Sequence, residues 1–224
     1  MICHRIAGQI APIALMALLV LMGGCASTPP ADLVNPALFA RSAVLPESRT
    51  PGRVALLVPV QVQGTIYRSD KYDIIDLRLP IGRVVEQAML AALGDGLRGG
   101  VQQVSAVPPP GSGFGATLVV DALRYEHHFK WLWIVPVPLP PFVVGQTEAS
   151  SQLAFDVSLL DAEGQRVWTR TYDAGSEIWK PTNAELPSSA LVRLAHEEAW
   201  RLAQQAMHDL ADWLNAERIK PREL

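Results

Sequence analysis

The order of strand, helix, several strands and a long closing helix predicts an α+β fold: a single domain whose antiparallel or mixed sheet is packed on one face by two helices, the C-terminal one long. Three observations predict it. Val54-Ala55-Leu56-Leu57-Val58-Pro59-Val60 is a near-continuous apolar run of strand length, the pattern of a central strand covered on both faces. Residues 147–160 alternate, with Ala149, Ser151, Leu153, Phe155, Val157 and Leu159 on one side and Ser150, Gln152, Asp156 and Ser158 on the other. From Pro187 or Ser188 to Glu217 the apolar residues recur with helical period.

The domain is expected to open at Arg53, with Val54 to Val60 as its first strand. A polar stretch from Tyr67 to Asp76 leads through Leu79-Pro80-Ile81-Gly82 into a helix from about Ile81 to Leu97. Val84, Val85, Ala88, Ala92 and Leu93 form its main stripe. Leu90 and Ala91 fall elsewhere on the wheel, so burial on more than one side is expected. Gly94, Gly96, Gly99 and Gly100 end it.

Val101 to Val107 reads as a short strand stopped by Pro108-Pro109-Pro110-Gly111. Ala116 to about Phe129 reads as a longer one. Regular alternation divides it into Leu118, Val120 and Ala122 against Val119, Leu123, Tyr125 and His127. Asp161-Ala162-Glu163-Gly164 is a turn, and Arg166 to Tyr172 returns as the hairpin partner of 147–160. On the closing helix, Ala195, Ala199, Leu202, Ala203, Ala206, Met207, Leu210, Trp213 and Leu214 share one arc. Arg193, Glu197, Arg201, Gln204, Gln205, His208, Asp212 and Asn215 share the other, and Trp200 sits at the margin.

Composition narrows the class. Of 224 residues 49% are apolar and 18% charged, and the charged share lies below the roughly 25% usual for soluble domains. A net charge of −3 supplies no basic footprint for nucleic acid. The apolar excess gathers first in Ile10 to Met22, an uncharged run behind Arg5. It is too short to span a bilayer, and together with the small residues Gly23 and Gly24 it has the form of a secretory signal.

Leu21-Met22-Gly23-Gly24-Cys25 resembles the lipobox of bacterial lipoproteins. The resemblance implies cleavage before Cys25 and attachment of diacylglycerol and palmitate there, hence a membrane anchor. The expected organisation is then a signal peptide over 1–24, a lipidated tether over 25–52 and a periplasmic domain over 53–220. Cys3 leaves with the signal, so no intramolecular disulfide is expected. Residues 26–52 carry five prolines and no sustained periodicity, as a tether would. Ala26 and Ser27 follow the cysteine, and the absence of Asp there resembles the pattern sorted to the outer membrane.

The loose pattern of Val58 to Val60, Leu79 to Gly82, the hairpin ending in Val167-Trp168 and the amphipathic closing helix is similar to small periplasmic lipoproteins of cell-envelope machinery. These include auxiliary lipoproteins of transport systems and domains like the amino-terminal domain of TolB. What it implies is an accessory or assembly subunit of an envelope transport or biogenesis system, with no catalytic residue.

One stretch stands out. Residues 131–144 pass without a charge or a hydroxyl, carrying Trp131, Trp133, Ile134, Val135, Phe142 and Val143 among four prolines. The prolines oppose a regular helix and a central strand alike, and an ordinary hairpin connection would be a few polar residues. The segment is expected to be core cover, a surface for an envelope protein partner, or a membrane contact.

Catalytic and metal signatures are weak, and no cofactor is expected. His127 and His128 are adjacent on a strand and leave opposite faces. Gly111-Ser112-Gly113-Phe114-Gly115 opens a strand, where a dinucleotide fingerprint must open a helix. The expectation is a non-enzymatic lipoprotein. Its alternatives are a carrier of an apolar ligand, which needs a cavity between sheet and long helix, and a hydrolase, which needs convergent polar groups in a cleft.

Overall fold

A computed structural model describes Phe39, Ser48–Arg68, Arg78–Trp133, Gly145–Pro181 and Pro187–Ile219. The chain divides into two units, Met1–Asp32 and Leu33–Leu224, and every described residue belongs to the second. Cys25 and the apolar residues 134–144 lie outside the described residues.

The described elements, in chain order, are β1 (Val54–Leu57), α1 (Val60–Gln63), β2 (Tyr67–Arg68), β3 (Arg78–Leu79), α2 (Ile81–Gly96), β4 (Val101–Val104), β5 (Ala116–Trp133), β6 (Gly145–Leu160), β7 (Arg166–Pro181) and α3 (Pro187–Ile219). Five strands form a mixed sheet in the order β4-β1-β5-β6-β7. β1 is parallel to both β4 and β5, whereas β5, β6 and β7 are successively antiparallel. β2 and β3 pair separately. The mixed α+β class expected from the sequence is the one observed, with helices α2 and α3 packed on the sheet.

β1 is internal, between β4 and β5, and Val54, Ala55 and Leu56 are wholly buried. It is shorter than the sequence suggested. The apolar run continues to Val60, but the strand ends at Leu57 and Pro59, at φ −57° and ψ 148°, caps the one-turn helix α1. Proline presets the extended backbone before a first helical turn and has no N–H to give a ladder. α1 then lies against the start of α2 so closely that a Cβ on Gly82 would stand 1.9 Å from the Val62 carbonyl oxygen. Only glycine fits there.

β5 holds the largest departure from the sequence reading. Val120 pairs with Val157 and Ala122 pairs with Asp156, leaving Asp121 as an extra residue in a β-bulge. The bulge shifts the alternation by one. Leu118 and Val120 therefore share a face with Leu123, Tyr125 and His127, as their partners Leu159, Val157, Phe155, Leu153 and Ser151 show. The sequence reading had set these two groups on opposite faces. Ser158 Oγ donates to the Asp121 carboxylate at the bulge.

β6 follows its expected alternation, with Leu153, Phe155, Val157 and Leu159 buried, although Ser158 on the other face is buried as well. The turn to β7 is held by the Asp161 carboxylate, whose Oδ1 accepts from the amides of Glu163 at 3.0 Å and Gln165 at 2.8 Å, with Gly164 at φ +81°. β7 runs on from Arg166 to Pro181, nine residues past the Tyr172 at which the hairpin was expected to end (181 − 172). Beyond Val119, where pairing with β1 stops, the long strands continue as a three-stranded arm ending at the Trp133–Gly145 pair.

α2 and α3 close one face. Ala195, Ala199, Leu202, Ala203, Ala206 and Leu210 of α3 are buried against Leu153, Phe155 and Val157 of the sheet and Met89 and Leu93 of α2, in one core cluster. These side chains pack between sheet and long helix. Phe39, within the segment expected as tether, is 3% exposed and belongs to the same cluster. No helix among the described residues is long and apolar enough to cross a membrane.

Two outcomes are expected. Phe155→Ala, which empties a fully buried position, lowers unfolding free energy by about 3–5 kcal/mol in urea titration. Deleting Asp121 removes the extra residue, so a regular strand keeps Val120, Leu123 and Tyr125 on one face. That variant is expected to keep a cooperative unfolding transition in urea titration, whereas inserting one alanine between Leu123 and Arg124 turns Tyr125 and His127 to the opposite face and abolishes it.

Candidate functional site

Of the residues expected to carry function, Trp131 and Trp133 fall at the end of the arm. Trp131 and Trp133 belong to β5, paired with Thr147 and Gly145, and not to the loop in which the sequence reading had placed them. Alternating strand geometry therefore continues four residues past Phe129 (133 − 129) before the prolines begin. Ile134, Val135, Phe142 and Val143 lie outside the described residues, as does Cys25.

Below that tip the arm holds two polar regions. The inner one sits between sheet and helix. Ser151 of β6 pairs across the sheet with His127 of β5 and Ser176 of β7, and its hydroxyl donates to Glu198 Oε1 of α3 at 2.8 Å. Glu198 is 1% exposed, Ser151 5% and His127 7%. The second Glu198 oxygen and the Tyr125 hydroxyl are buried without hydrogen-bond partners. Tyr67, from β2, packs on this group, its ring 5.2 Å from Tyr125 edge-on and 4.4 Å from His127.

Burial pushes the Glu198 carboxyl above its ordinary value, against the pull of the Ser151 hydrogen bond, the nearby Ser176 hydroxyl and the Arg201 charge. Burial likewise raises the Tyr125 phenol, and the Glu198 charge adds to the effect. What this arrangement does chemically is favour a neutral carboxyl that joins helix to arm. Two residues earlier, His196 is fully buried and its Nδ1 lies 2.7 Å from the Val192 carbonyl, which accepts. Burial lowers its basicity, with the Val192 contact opposing.

The outer region is a cleft of about 340 Å³ on the opposite face of the same strands, lined by Glu126, His128, Ser150, Ser151, Gln152, Gly175, Ser176 and Glu177. Glu126, His128 and Ser150 face outward by alternation with the inner residues, and Gly175 leaves room between them. His127 and His128 do leave opposite faces, as expected. Among the described residues no group of three His, Cys, Asp or Glu side chains is placed to hold a metal ion.

Sequence reasoning did not single out Glu198, Ser151 or Tyr125 as a group. One signal was present: Glu198 lies three residues after Ala195 and four before Leu202, on the apolar arc of the helix. A carboxyl in that position requires a polar partner across the interface. The bulge at Asp121 hid the partner side, because regular alternation had separated Tyr125 and His127 from the Leu118 face.

No protein-family model matches the chain, nor does any curated protein sequence. Among solved structures it is similar to a minor lipoprotein from Acinetobacter baumannii, at 13% identity and TM-score 0.41 over 72% of this chain and 91% of that one. It is also similar to the rare lipoprotein B from Shewanella oneidensis, at 14% and 0.36 over 74% and 98%. A third likeness is to a lipoprotein B from Nitrosomonas europaea, at 13% and 0.33 over 77% and 88%.

The raised Glu198 value sets a pH dependence. A carboxyl held above its unfolded value contributes stability that is complete below that unfolded value and is lost as pH rises through the folded one. Glu198→Gln keeps an acceptor for Ser151 and removes the charge. In urea titrations it is expected to be more stable than the parent by about 1–2 kcal/mol near neutral pH and above, with the gap closing on acidification. A gap that does not change with pH counts against this account.

Proposed function

We propose that this chain is a lipoprotein, anchored through Cys25 at the periplasmic face of the outer membrane, that acts as a non-enzymatic accessory or assembly subunit of a cell-envelope transport or biogenesis system. The observation that carries the anchor is Leu21-Met22-Gly23-Gly24-Cys25 behind the uncharged run Ile10 to Met22. Ala26 and Ser27, in place of Asp, favour the outer membrane over the inner.

The arm supports a binding role. β5, β6 and β7 extend well past β1, and the segment they present, 134–144, is apolar throughout. A long uncharged stretch at the end of a rigid support is suited to a partner surface. One feature favours a non-enzymatic role: the Ser151 hydroxyl is engaged by the Glu198 carboxyl inside the sheet–helix interface.

Two measurements test the reading. Cells fed an alkyne-bearing fatty acid are expected to label the parent and not Cys25→Ser, and density-gradient fractions are expected to carry the parent with outer-membrane markers. A photocross-linker at Trp131 or Trp133 is expected to capture one envelope protein reproducibly. Capture of no protein at either position would remove the partner role while leaving the anchor intact.

A further inference from the structure

Phe39 is a described residue within the segment expected to be a free tether, and it is not free. Its ring is 3% exposed, 5.4 Å from the His196 ring and 6.2 Å from the Trp200 ring of α3. Trp200, which the helical wheel placed at the margin of the apolar arc, is half-buried and packs against the core cluster that includes Phe39. A second fixed point follows at Thr50, whose amide donates to the Gly96 carbonyl at 2.9 Å and whose carbonyl accepts from Arg98 at 2.9 Å. Gly52 next lies against Leu214. The two ends of this stretch therefore touch α3 fourteen residues apart (214 − 200), or about 21 Å along the helix.

We infer that His196 and Trp200 form a docking notch for the chain's own N-terminal segment, with Phe39 as the clasp, and that this clasp sets the reach and the attachment point of the membrane anchor. The inference rests on the lipid-anchor reading proposed above. From Cys25 to Phe39 is fourteen residues (39 − 25), and from Cys25 to Thr50 is twenty-five (50 − 25). Closing the clasp cuts the fully extended leash from about 90 Å to about 50 Å.

The attachment point moves as well. With the clasp open, the leash leaves beside Gly96 and Leu214. With it closed, the leash leaves beside His196 and Trp200, at the level of α3 where Glu198 is bonded to Ser151 on the arm. The Asp161–Gln165 turn lies at the other end of β6, ten residues from Ser151 (161 − 151), or about 33 Å. A clasped chain thus holds its arm, and not its β6–β7 turn, toward the bilayer to which Cys25 is joined.

The test uses the full chain expressed with its own signal and reconstituted in vesicles carrying an acceptor dye in the headgroup layer. A donor is placed singly at Glu197→Cys, beside the notch, or at Glu163→Cys, in the far turn, with Cys3 leaving in the signal. Energy transfer is expected to be stronger from position 197 than from 163, and Phe39→Ala is expected to abolish the difference. Phe39→Leu retains it. A Gly/Ser insertion between Ser27 and Thr28 lengthens the leash without touching the core, so it weakens transfer from 197 even should Phe39→Ala fold poorly.

Amide exchange separates the clasp from the anchor. The Phe39 amide is expected to be protected in the parent and to lose protection in Trp200→Ala, whether or not Cys25 carries lipid. Mass spectrometry of the Cys25 peptide decides the anchor independently. Exchange at Phe39 as fast as in an unfolded chain would overturn the clasp, as would a folded Phe39→Ala protein that keeps the full difference in transfer.

Discussion

The β-bulge at Asp121 is the constraint on which the sheet depends. β5 serves two partners of opposite sense, β1 in parallel up to Val119 and β6 in antiparallel along its length. Its apolar residues change parity along the chain: Leu118 and Val120 are even, Leu123 and Tyr125 are odd. A regular strand must send one of these pairs to water. One extra residue lets both face α2 and α3, and so the apolar face runs without a break from β1 into the arm. The Ser158 hydroxyl bound to Asp121 satisfies the polar residue that the bulge leaves over.

Two buried carboxylates join the helices to the rest and do so in different ways. Glu86 of α2 is wholly buried and saturated. It accepts from Gln63 at 2.7 Å, from Gln103 and from Arg83 at 2.8 Å, tying α1, α2 and β4 together. Glu198 of α3 has one oxygen bound to Ser151 and one without a partner. A buried carboxyl with one oxygen unpartnered is pushed toward the neutral form. The α1–α2–β4 contacts are therefore held by a hydrogen-bonded network, and the helix-to-arm contact by a carboxyl whose value burial raises. Farther along α3, Asp209 accepts from Tyr172 at 2.7 Å and pairs with Arg170 at 2.5 Å. Burial works to raise its value, but the two donors outweigh it and hold Asp209 below the usual carboxylate range.

These contacts bear on the proposed role through stiffness. An arm of three strands that only paired with one another would bend and twist freely at its far end. Here α3 crosses it at Glu198 and again at Asp209, and Tyr67 covers its inner face at Tyr125 and His127. The apolar segment 134–144 is thereby carried on a braced support, joined to the domain through the Trp133–Gly145 pair.

The sequence by itself determined the class, the order of elements, the inward face of β6 and the buried arc of α3, because each follows from a period that a single element displays. Val157, Phe155 and Leu153 at every second place require one apolar sheet face, and Ala195, Ala199, Leu202 and Ala206 require one apolar helix face. Only the tertiary structure decided where alternation breaks, which side chain meets the out-of-place Glu198, and that Phe39 lies in the core. The physical reason is common to all three. A bulge, a polar pair across an interface and a docked aromatic owe their stability to partners remote along the chain, Asp156 for the register at Asp121, Ser151 for Glu198 and Trp200 for Phe39. Local periodicity carries no record of a contact that only folding brings about.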